Sequence, residues 1–213
     1  MTSKIELLTI ENKPVPSNSH VFYNSDSKHC IVVDPGSEEG QYIDGYLTEK
    51  ELIPDYIILT HEHFDHIWAC EYFVNKYHTP IVCSKMCAGA IVNARTNLSL
   101  FYENKKAFNC PPASLIVEDI DFNLEWGDEI IFFNLALGHS IGGIFFTLQK
   151  YLVTGDTLIK DIKTVTKLKC GSKEKLKESL ALIDSMKGRG LLVCAGHGES
   201  FELDSYDLKK ALL

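Results

Sequence analysis

The sequence predicts an α+β fold in which two stacked sheets carry helices on their outer faces. Short apolar runs typical of strands dominate two stretches of the chain, and each stretch is followed by one that mixes strands and helices. No internal repeat and no linker-like segment interrupts this order. A length of 213 residues suits one domain, so we expect residues 1–213 to fold as a single unit.

The first stretch begins with β-branched and aromatic runs separated by Asn, Ser and Pro turn residues. Strands are predicted at 4–10, 20–24, 30–34 and 55–60, and a helix at 38–50. Pro35-Gly36 ends the third of these strands.

The middle of the chain has mixed character. A helix is predicted after His66, because apolar residues recur on one face, and a strand and a helix follow at 80–84 and 85–94. In residues 95–116, polar and aromatic residues alternate, and the segment contains Pro111-Pro112. This composition favours a long loop with room for one helix.

Strands return in the second half, at 117–125, 129–137, 144–149, 151–154 and 191–195. Residues 172–186 form a Lys-rich amphipathic pattern that places Leu176, Leu180 and Ile183 on the inner face of a helix. A short final helix is predicted at 204–212.

Residues 130–149 contain no charged side chain and match the length of a membrane span. We favour two buried strands joined by a loop, because Gly138, Gly142 and Gly143 cluster at the centre and polar side chains interrupt the run. No membrane association is therefore expected.

The seven cysteines are odd in number and include no CxxC pair. No segment resembling a signal peptide precedes them, so we expect reduced thiols and a cytoplasmic location. Cys83 and Cys87 could share a helix face, and two small buried apolar residues are a simpler interpretation than a metal pair.

The composition is ordinary for a globular protein, with 45% hydrophobic and 23% charged residues, and the formal net charge is −8. An acidic chain is not drawn to phosphate backbones, so nucleic acid is a disfavoured partner. Residues 160–177, however, hold seven Lys and two acids. This segment is either a solvated helix face, which we favour, or a cationic rim for an anionic small-molecule substrate.

The most informative feature is a His-x-His-x-Asp-His cluster directly after an apolar strand. It comprises His61, His63, Asp65 and His66. Imidazole nitrogens and carboxylate oxygens are ligands for zinc and similar divalent ions, and a loop at a strand end can turn several of them toward one point.

Four ligands within six residues would crowd one metal, whereas two metals would share them, with further ligands from elsewhere. His139, Asp156 and His197 each follow an apolar strand and each adjoin a glycine, which permits tight backbone geometry. Each residue alone is weak evidence for a metal ligand. The repetition of the pattern at three strand ends supports the interpretation as a two-metal site.

These motifs, in this order, resemble the metallo-β-lactamase-fold hydrolases over nearly the whole chain. The matching segments are Val33-Asp34-Pro35-Gly36, His61–His66, Gly138-His139-Ser140, Gly155-Asp156-Thr157-Leu158 and Gly196-His197-Gly198. The resemblance implies a four-layer αβ/βα sandwich with two mixed sheets. It assigns His61, His63 and His139 to one metal and Asp65, His66 and His197 to a second, with Asp156 bridging them. Asp34 is either a support for a ligand or a strand-end turn residue.

Departures within the superfamily narrow the expected substrate. The best-known metal-dependent β-lactamases use Cys where Asp156 stands and lack a ligand at His66, so penicillin hydrolysis is not expected. Lactonases of the family often have Tyr where Leu158 stands. The Gly155–Leu158 segment and Asn97-Leu98-Ser99 are similar to hydroxyacylglutathione hydrolase (glyoxalase II) and its short relatives. No glutathione-binding extension follows His197, so glutathione thioesters are one candidate among several.

The resemblance leads to a hypothesis of hydrolysis by a metal-bridged hydroxide, held by Asp65 as the catalytic residue, on a thioester or another small acyl substrate. Two zinc ions are the expected cofactors, with iron or manganese as alternatives. Two other activities stay open: a phosphodiesterase, and a persulfide dioxygenase that holds one iron through His61, His139 and Asp156. A non-catalytic metal-binding module is disfavoured by the complete ligand set.

Overall fold

A computed structural model describes residues 5–103, 106–118, 122–168 and 170–212. A few predicted features lie partly outside these residues. They are Lys4 of the first strand, residues 104–105 of the 95–116 loop, residues 119–121 of the strand predicted at 117–125, Lys169 of the Lys-rich segment, and Leu213 at the end of the chain.

The first sheet is built from the N-terminal half of the chain. In the described residues it has six strands in sequence order: β1 (Ile5–Glu11), β2 (Asn18–Asn24), β3 (His29–Val33), β4 (Ile53–Ile58), β5 (Ile81–Ser84) and β6 (Leu115–Val117). β2 pairs antiparallel with both β1 and β3, and β3 to β6 run parallel. The sheet is therefore mixed, as predicted.

The second sheet is built from the C-terminal half. Over the same described residues its order is β12 (Phe201–Glu202), β11 (Leu192–Ala195), β10 (Tyr151–Gly155), β9 (Ile144–Leu148), β8 (Glu129–Leu135) and β7 (Asn123–Trp126). The pairing of β10 with β11 is parallel, and the other pairs are antiparallel.

Helices flank both sheets. Between β3 and β6 of the first sheet, the chain forms α1 (Gly40–Glu49), α2 (Phe64–Ile67), α3 (Cys70–Tyr77), α4 (Lys85–Ile91) and a 3-10 helix at Ser99–Phe101. The second sheet is accompanied by α5 (Lys173–Asp184) and a 3-10 helix at Leu208–Leu212.

Side chains on opposite faces of the strands pack into different hydrophobic cores, of which the described residues form three. On β3, Cys30 and Val32 pack in a core with the α1 and α3 side chains, whereas Ile31 and Val33 pack in a core with side chains of the second sheet. On β9, Phe145 packs in a third core with α5. Because successive strand residues face opposite sides, each sheet is buried on both faces. The result is the four-layer αβ/βα sandwich that was predicted.

The strand predicted at 117–125 is divided between the two sheets. Its start belongs to β6, which pairs with β5, and its end belongs to β7, which pairs with β8. A single continuous strand was therefore the wrong prediction, since the chain passes from one sheet to the other here. The short strand β12 was not predicted, and the final helix is a five-residue 3-10 helix.

Other expectations concerned apolar segments. The uncharged stretch at 130–149 forms β8 and β9, as predicted. Within the described residues, no helix is long and apolar enough to cross a membrane. Cys83 lies on β5 and Cys87 on α4, so the prediction that they share a helix face was wrong. Both side chains are fully buried in the first core.

Replacing Phe146 tests the core between the sheets. Phe146 is fully buried and packs against Phe22 and Phe133. We expect Phe146→Ala to lower the free energy of unfolding by about 3–5 kcal/mol, because it leaves a cavity between two rigid layers. The matched control is Phe132→Ala on β8, whose side chain is 49% exposed and should cost less than about 1 kcal/mol. Urea denaturation measures both, and equal losses would contradict this description of the core.

Candidate metal centre

All seven predicted ligand residues lie at one edge of the sandwich. β4, β10 and β11 end at this edge, and the β8–β9 loop turns there. His61 and His63 follow β4; Asp65 and His66 lie on α2; His139, Asp156 and His197 follow β8, β10 and β11. Backbone hydrogen bonds from Ile144 N to Thr60 O (2.8 Å) and from Asn18 N to Gly196 O (2.7 Å) join the two sheets here.

Three imidazoles form a first cluster. One ring nitrogen from each of His61, His63 and His139 lies within 4.8 Å of the others, and all three residues are buried. His139 Nε2 is 3.0 Å from His63 Nδ1.

A second cluster contains Asp65, His66 and His197, again with one ligand atom from each within 4.8 Å. The Asp65 carboxylate is 3.7 Å from His66 Nε2 and 3.5 Å from His197 Nε2.

Asp156 lies between the two clusters. Its Oδ1 is 3.6 Å from His66 Nε2, and its Oδ2 is 3.6 Å from His139 Nε2 and 3.5 Å from His197 Nε2. One carboxylate therefore faces imidazoles of both clusters, which is the arrangement expected of a bridging ligand.

Hydrogen bonds at the far ring nitrogens orient four of the five imidazoles. The Nδ1 atoms of His61, His66, His139 and His197 contact Thr60 Oγ1 (3.0 Å), Asp34 Oδ2 (3.0 Å), Val165 O (2.9 Å) and Pro16 O (3.0 Å), respectively. A partner at Nδ1 leaves Nε2 as the ligand atom. His63 differs, since its Nδ1 faces His139.

Asp34 supports this arrangement from behind. Its carboxylate accepts hydrogen bonds from the Thr60 amide (2.7 Å), the Thr60 hydroxyl and His66 Nδ1. Its backbone also adopts a left-handed turn, with φ 49°. Both interpretations of Asp34 thus apply. Although Asp34, His61 and His66 also lie close enough to form a ligand group, the Asp34 oxygens are already occupied by these donors.

Electrostatics distinguish the two clusters. Burial lowers the pKa of His61 well below its usual value, and burial together with His139 lowers the pKa of His63 to about 3. Burial alone would also lower the pKa of His66 and His197. The carboxylates of Asp65 and Asp156 outweigh burial and raise these values to about 9 and about 10.

The two carboxylates respond in the opposite direction. Burial would raise the pKa of Asp65 and Asp156, but the neighbouring imidazoles outweigh it and hold both below the usual range.

The residues fit divalent cations. Among the described residues, three buried ligand atoms, His61 Nε2, His66 Nε2 and Asp156 Oδ1, find no hydrogen-bond partner, although a buried polar atom normally has one. Gly196 leaves space beside two of these residues, because a Cβ there would lie 2.2 Å from Asp156 Oδ1 and 2.9 Å from His66 Cε1. The nitrogen and oxygen donor set suits zinc, iron or manganese.

Sequence reasoning missed the polar residues that hold the edge together. Asn18 donates through its amide to Ala195 O and Gly198 O beside His197, and the Ser17 hydroxyl donates to Asp65 O. Asn12 accepts from Ser19 and Ser37, and Ser19 also donates to Asp34 O. The available signal was a polar run, Asn18-Ser19-His20, at the head of an apolar strand.

A family model described as the metallo-beta-lactamase superfamily matches residues 12–197. The chain belongs to this superfamily. The fold of the superfamily implies divalent metal binding, and the His/Asp clusters are the candidate sites among the described residues.

Relatives in the superfamily resemble this chain at modest identity. A probable metallo-hydrolase, YqgX, from Bacillus subtilis is 29% identical over 188 residues, which are 87% of this chain and 86% of the relative. The hydroxyacylglutathione hydrolase of Hamiltonella defensa is 26% identical over 186 residues, which are 86% of this chain. The match spans 64% of that enzyme's length.

The fold also matches solved structures of the superfamily. The crystal structure of BLEG-1 B3 metallo-beta-lactamase superimposes with a TM-score of 0.85 at 24% identity and covers 93% of this chain and 94% of that one. At this identity the likeness concerns the fold.

Removing the Asp34 carboxylate tests its support of the metal centre. We expect Asp34→Ala to weaken metal binding by about 10–100-fold, because His66 and Thr60 lose the acceptor that orients them. The matched control is Asp44→Ala, which also removes a buried carboxylate but one that contacts Tyr72, Tyr77 and Lys76 on α3. Titration against a chromophoric chelator measures affinity; equal losses in both variants would indicate a general folding defect.

Proton release should distinguish the two clusters. At pH 7, pKa values of about 9 and about 10 keep His66 and His197 protonated without metal, whereas the lowered pKa values keep His61 and His63 neutral. Since metals bind neutral imidazole, filling the second cluster should release about two protons, and its affinity should rise with pH up to about pH 10. Calorimetry in buffers of different ionisation enthalpy counts these protons. Identical release at both binding steps would contradict the assignment.

Proposed function

We propose that this protein is a dinuclear metal-dependent hydrolase of thioesters or other small acyl compounds. The observation that carries the proposal is the position of Asp156, whose two oxygens lie within 3.6 Å of imidazoles in both clusters. A carboxylate so placed can serve two cations at once.

The proposed ligands are His61, His63 and His139 for one metal and Asp65, His66 and His197 for the other, with Asp156 shared. Zinc is the proposed metal, with iron or manganese as alternatives that the same donors accept. Two bound cations would lower the pKa of a water molecule to about 7 and polarise the substrate carbonyl.

Asp65 is the proposed catalytic residue. His66 Nε2 and His197 Nε2 both lie within 3.7 Å of its Oδ2 and favour the ionised carboxylate, which lowers its pKa. The Ser17 hydroxyl holds its backbone carbonyl. An ionised carboxylate in a fixed position can accept a hydrogen bond from the attacking water and then pass its proton to the leaving group.

The proposed acyl specificity draws on the relatives. YqgX carries the name of a probable metallo-hydrolase, and the Hamiltonella defensa relative is a hydroxyacylglutathione hydrolase. Because the chain spans 64% of that enzyme, glutathione itself is one candidate thiol carrier rather than the assigned one.

The Lys-rich segment bears on substrate charge. Lys173, Lys175 and Lys177 lie on α5, whereas Lys160, Lys163 and Lys167 precede it in the loop after Asp156. Lys160 is paired with Glu199 at 2.6 Å. The proposed substrate is a small molecule that can be anionic; nucleic acid and membranes are not proposed partners.

Substitution of Asp65 tests the mechanism. The zinc-loaded protein should hydrolyse thioesters and esters, lose this activity with chelator and regain it with added metal. Asp65→Asn should lower kcat by about 100-fold or more, because a carboxamide cannot take the proton. The matched control is Asp55→Asn, which alters a carboxylate on β4 that contacts His29 and Trp126 rather than the proposed ligands. Metal content is measured for each variant, because lost metal would report the role of Asp65 as a ligand, whereas lost activity with full metal content would report its role in proton transfer.

The same panel separates the competing functions. Cleavage of a phosphodiester but of no thioester or ester would support a phosphodiesterase instead. Oxygen consumption with a persulfide and one bound iron would support a dioxygenase. An active Asp65→Asn variant with full metal content would remove the role given to that residue.

A further inference from the structure

A cavity of about 260 Å³ adjoins the metal centre on the side of α4. We call it the α4 cavity. Its lining includes Glu62, His63, Lys85, Met86, Leu98 and Ile141. Because His63 is a proposed metal ligand, a group that enters the α4 cavity lies directly against the first cluster.

The walls of the α4 cavity are mainly apolar. Met86, Leu98 and Ile141 face it, and Lys85 is an exposed cation in its lining. A cavity of about 150 Å³ is known to accept benzene, so about 260 Å³ has room for one branched or aromatic side chain. It is smaller than sites that enclose a drug-sized molecule.

Leu98 occupies this wall in an unfavourable backbone conformation. Its φ is 68°, which is rare for a residue with a bulky side chain. Asn97 stabilises the turn: its side chain accepts from Ser99 N (2.9 Å) and donates to Ile91 O and Phe108 O. The chain thus maintains a strained residue at the cavity, as is common at ligand sites.

Glu62 is the exceptional residue of the lining. It is 4% exposed and lies between two proposed ligands in the sequence, yet it lines the cavity. In the described part of the chain one hydrogen-bond donor reaches its carboxylate, the Gly142 amide at 3.2 Å from Oε2. A carboxylate has about four acceptor positions, and neither Glu62 oxygen is among the fully buried atoms of the described residues that have no partner. The remaining positions are available to an occupant of the cavity.

We propose that the α4 cavity binds the acyl group of the substrate and that Glu62 determines specificity by accepting a hydrogen bond from a hydroxyl or amide N–H on that group. This inference rests on the proposed function. It selects an acyl group with an apolar side chain and a neutral donor next to the carbonyl. An ammonium group is disfavoured, because the two proposed cations beside His63 and the nearby Lys85 repel it.

A purely structural role for Glu62 makes a different prediction. The Gly142 peptide is held by Glu62 at its amide and by Ser84 at its carbonyl, in the loop that carries His139. If Glu62 served only to hold this loop, its replacement would reduce turnover of all substrates by one common factor.

Five thioesters of N-acetylcysteamine separate these roles. Their acyl groups are 4-methylpentanoyl and its 2-hydroxy, 2-acetamido, 2-methoxy and 2-ammonio derivatives, each chiral one as separate enantiomers. The zinc-loaded wild-type protein should show kcat/KM about 10-fold or more higher for one enantiomer of the 2-hydroxy and 2-acetamido compounds than for the other three. A methoxy group cannot donate, so it tests donation rather than polarity.

Glu62→Gln is the decisive variant, because its carboxamide keeps one oxygen to accept from the Gly142 amide and presents an NH2 donor in place of the second acceptor oxygen. It should remove the 2-acetamido preference and raise the 2-methoxy compound above the unsubstituted one. Glu49→Gln, an exposed residue at the end of α1, is the matched control and should leave every ratio unchanged. Equal kcat/KM for all five compounds in the wild type, or one common factor of loss in Glu62→Gln, would overturn the proposal.

Failure of the proposed function has a separate signature, which is no turnover of any thioester. The matching primary carboxamides are then titrated into the zinc-loaded protein by calorimetry. Binding of the 2-hydroxy compound about 10-fold tighter than the unsubstituted one, lost in Glu62→Gln, would support the specificity without the activity. Equal affinities would overturn it.

Discussion

The hydrogen bonds behind the imidazoles are the constraint on which the rest of this structure depends. Asp34 accepts from Thr60 and His66, and Thr60 in turn contacts His61. Backbone carbonyls do the same for His139 and His197. Without these partners the rings could rotate, and four Nε2 atoms would not face a common region. The loops that meet at this edge bring together the groups that hold the imidazole rings in place.

The edge that carries the two clusters has a charge pattern suited to cations. Carboxylates raise the pKa of His66 and His197, while burial lowers that of His61 and His63, and three buried ligand atoms find no hydrogen-bond partner in the part of the chain that the structure describes. Such an arrangement is unfavourable by itself. The folding free energy of the three apolar cores offsets it, and bound cations would relieve it. The folded scaffold therefore holds these groups in positions that bound cations would stabilise.

The scaffold also explains why a substrate site can lie beside the metal centre. α4 begins immediately after β5, with Ser84 as its N-cap, and Ser84 also holds Gly142. One side chain thus ties the wall of the α4 cavity to the loop that carries His139. Glu62 and the proposed ligand His63 line the same cavity, so the proposed acyl recognition lies beside the proposed metal site.

The sequence by itself determined the layered α+β fold and the residues that meet at its edge. Strand periodicity and the compact His61–His66 cluster are local patterns, which a reader of the chain can recognise. Tertiary structure decided the rest. The support by Asp34 and Thr60, the division of 117–125 between two sheets, and the cavity that Glu62 shares with Leu98 all depend on contacts between distant segments. Local patterns cannot specify such contacts, because the packing of strand ends against one another sets them.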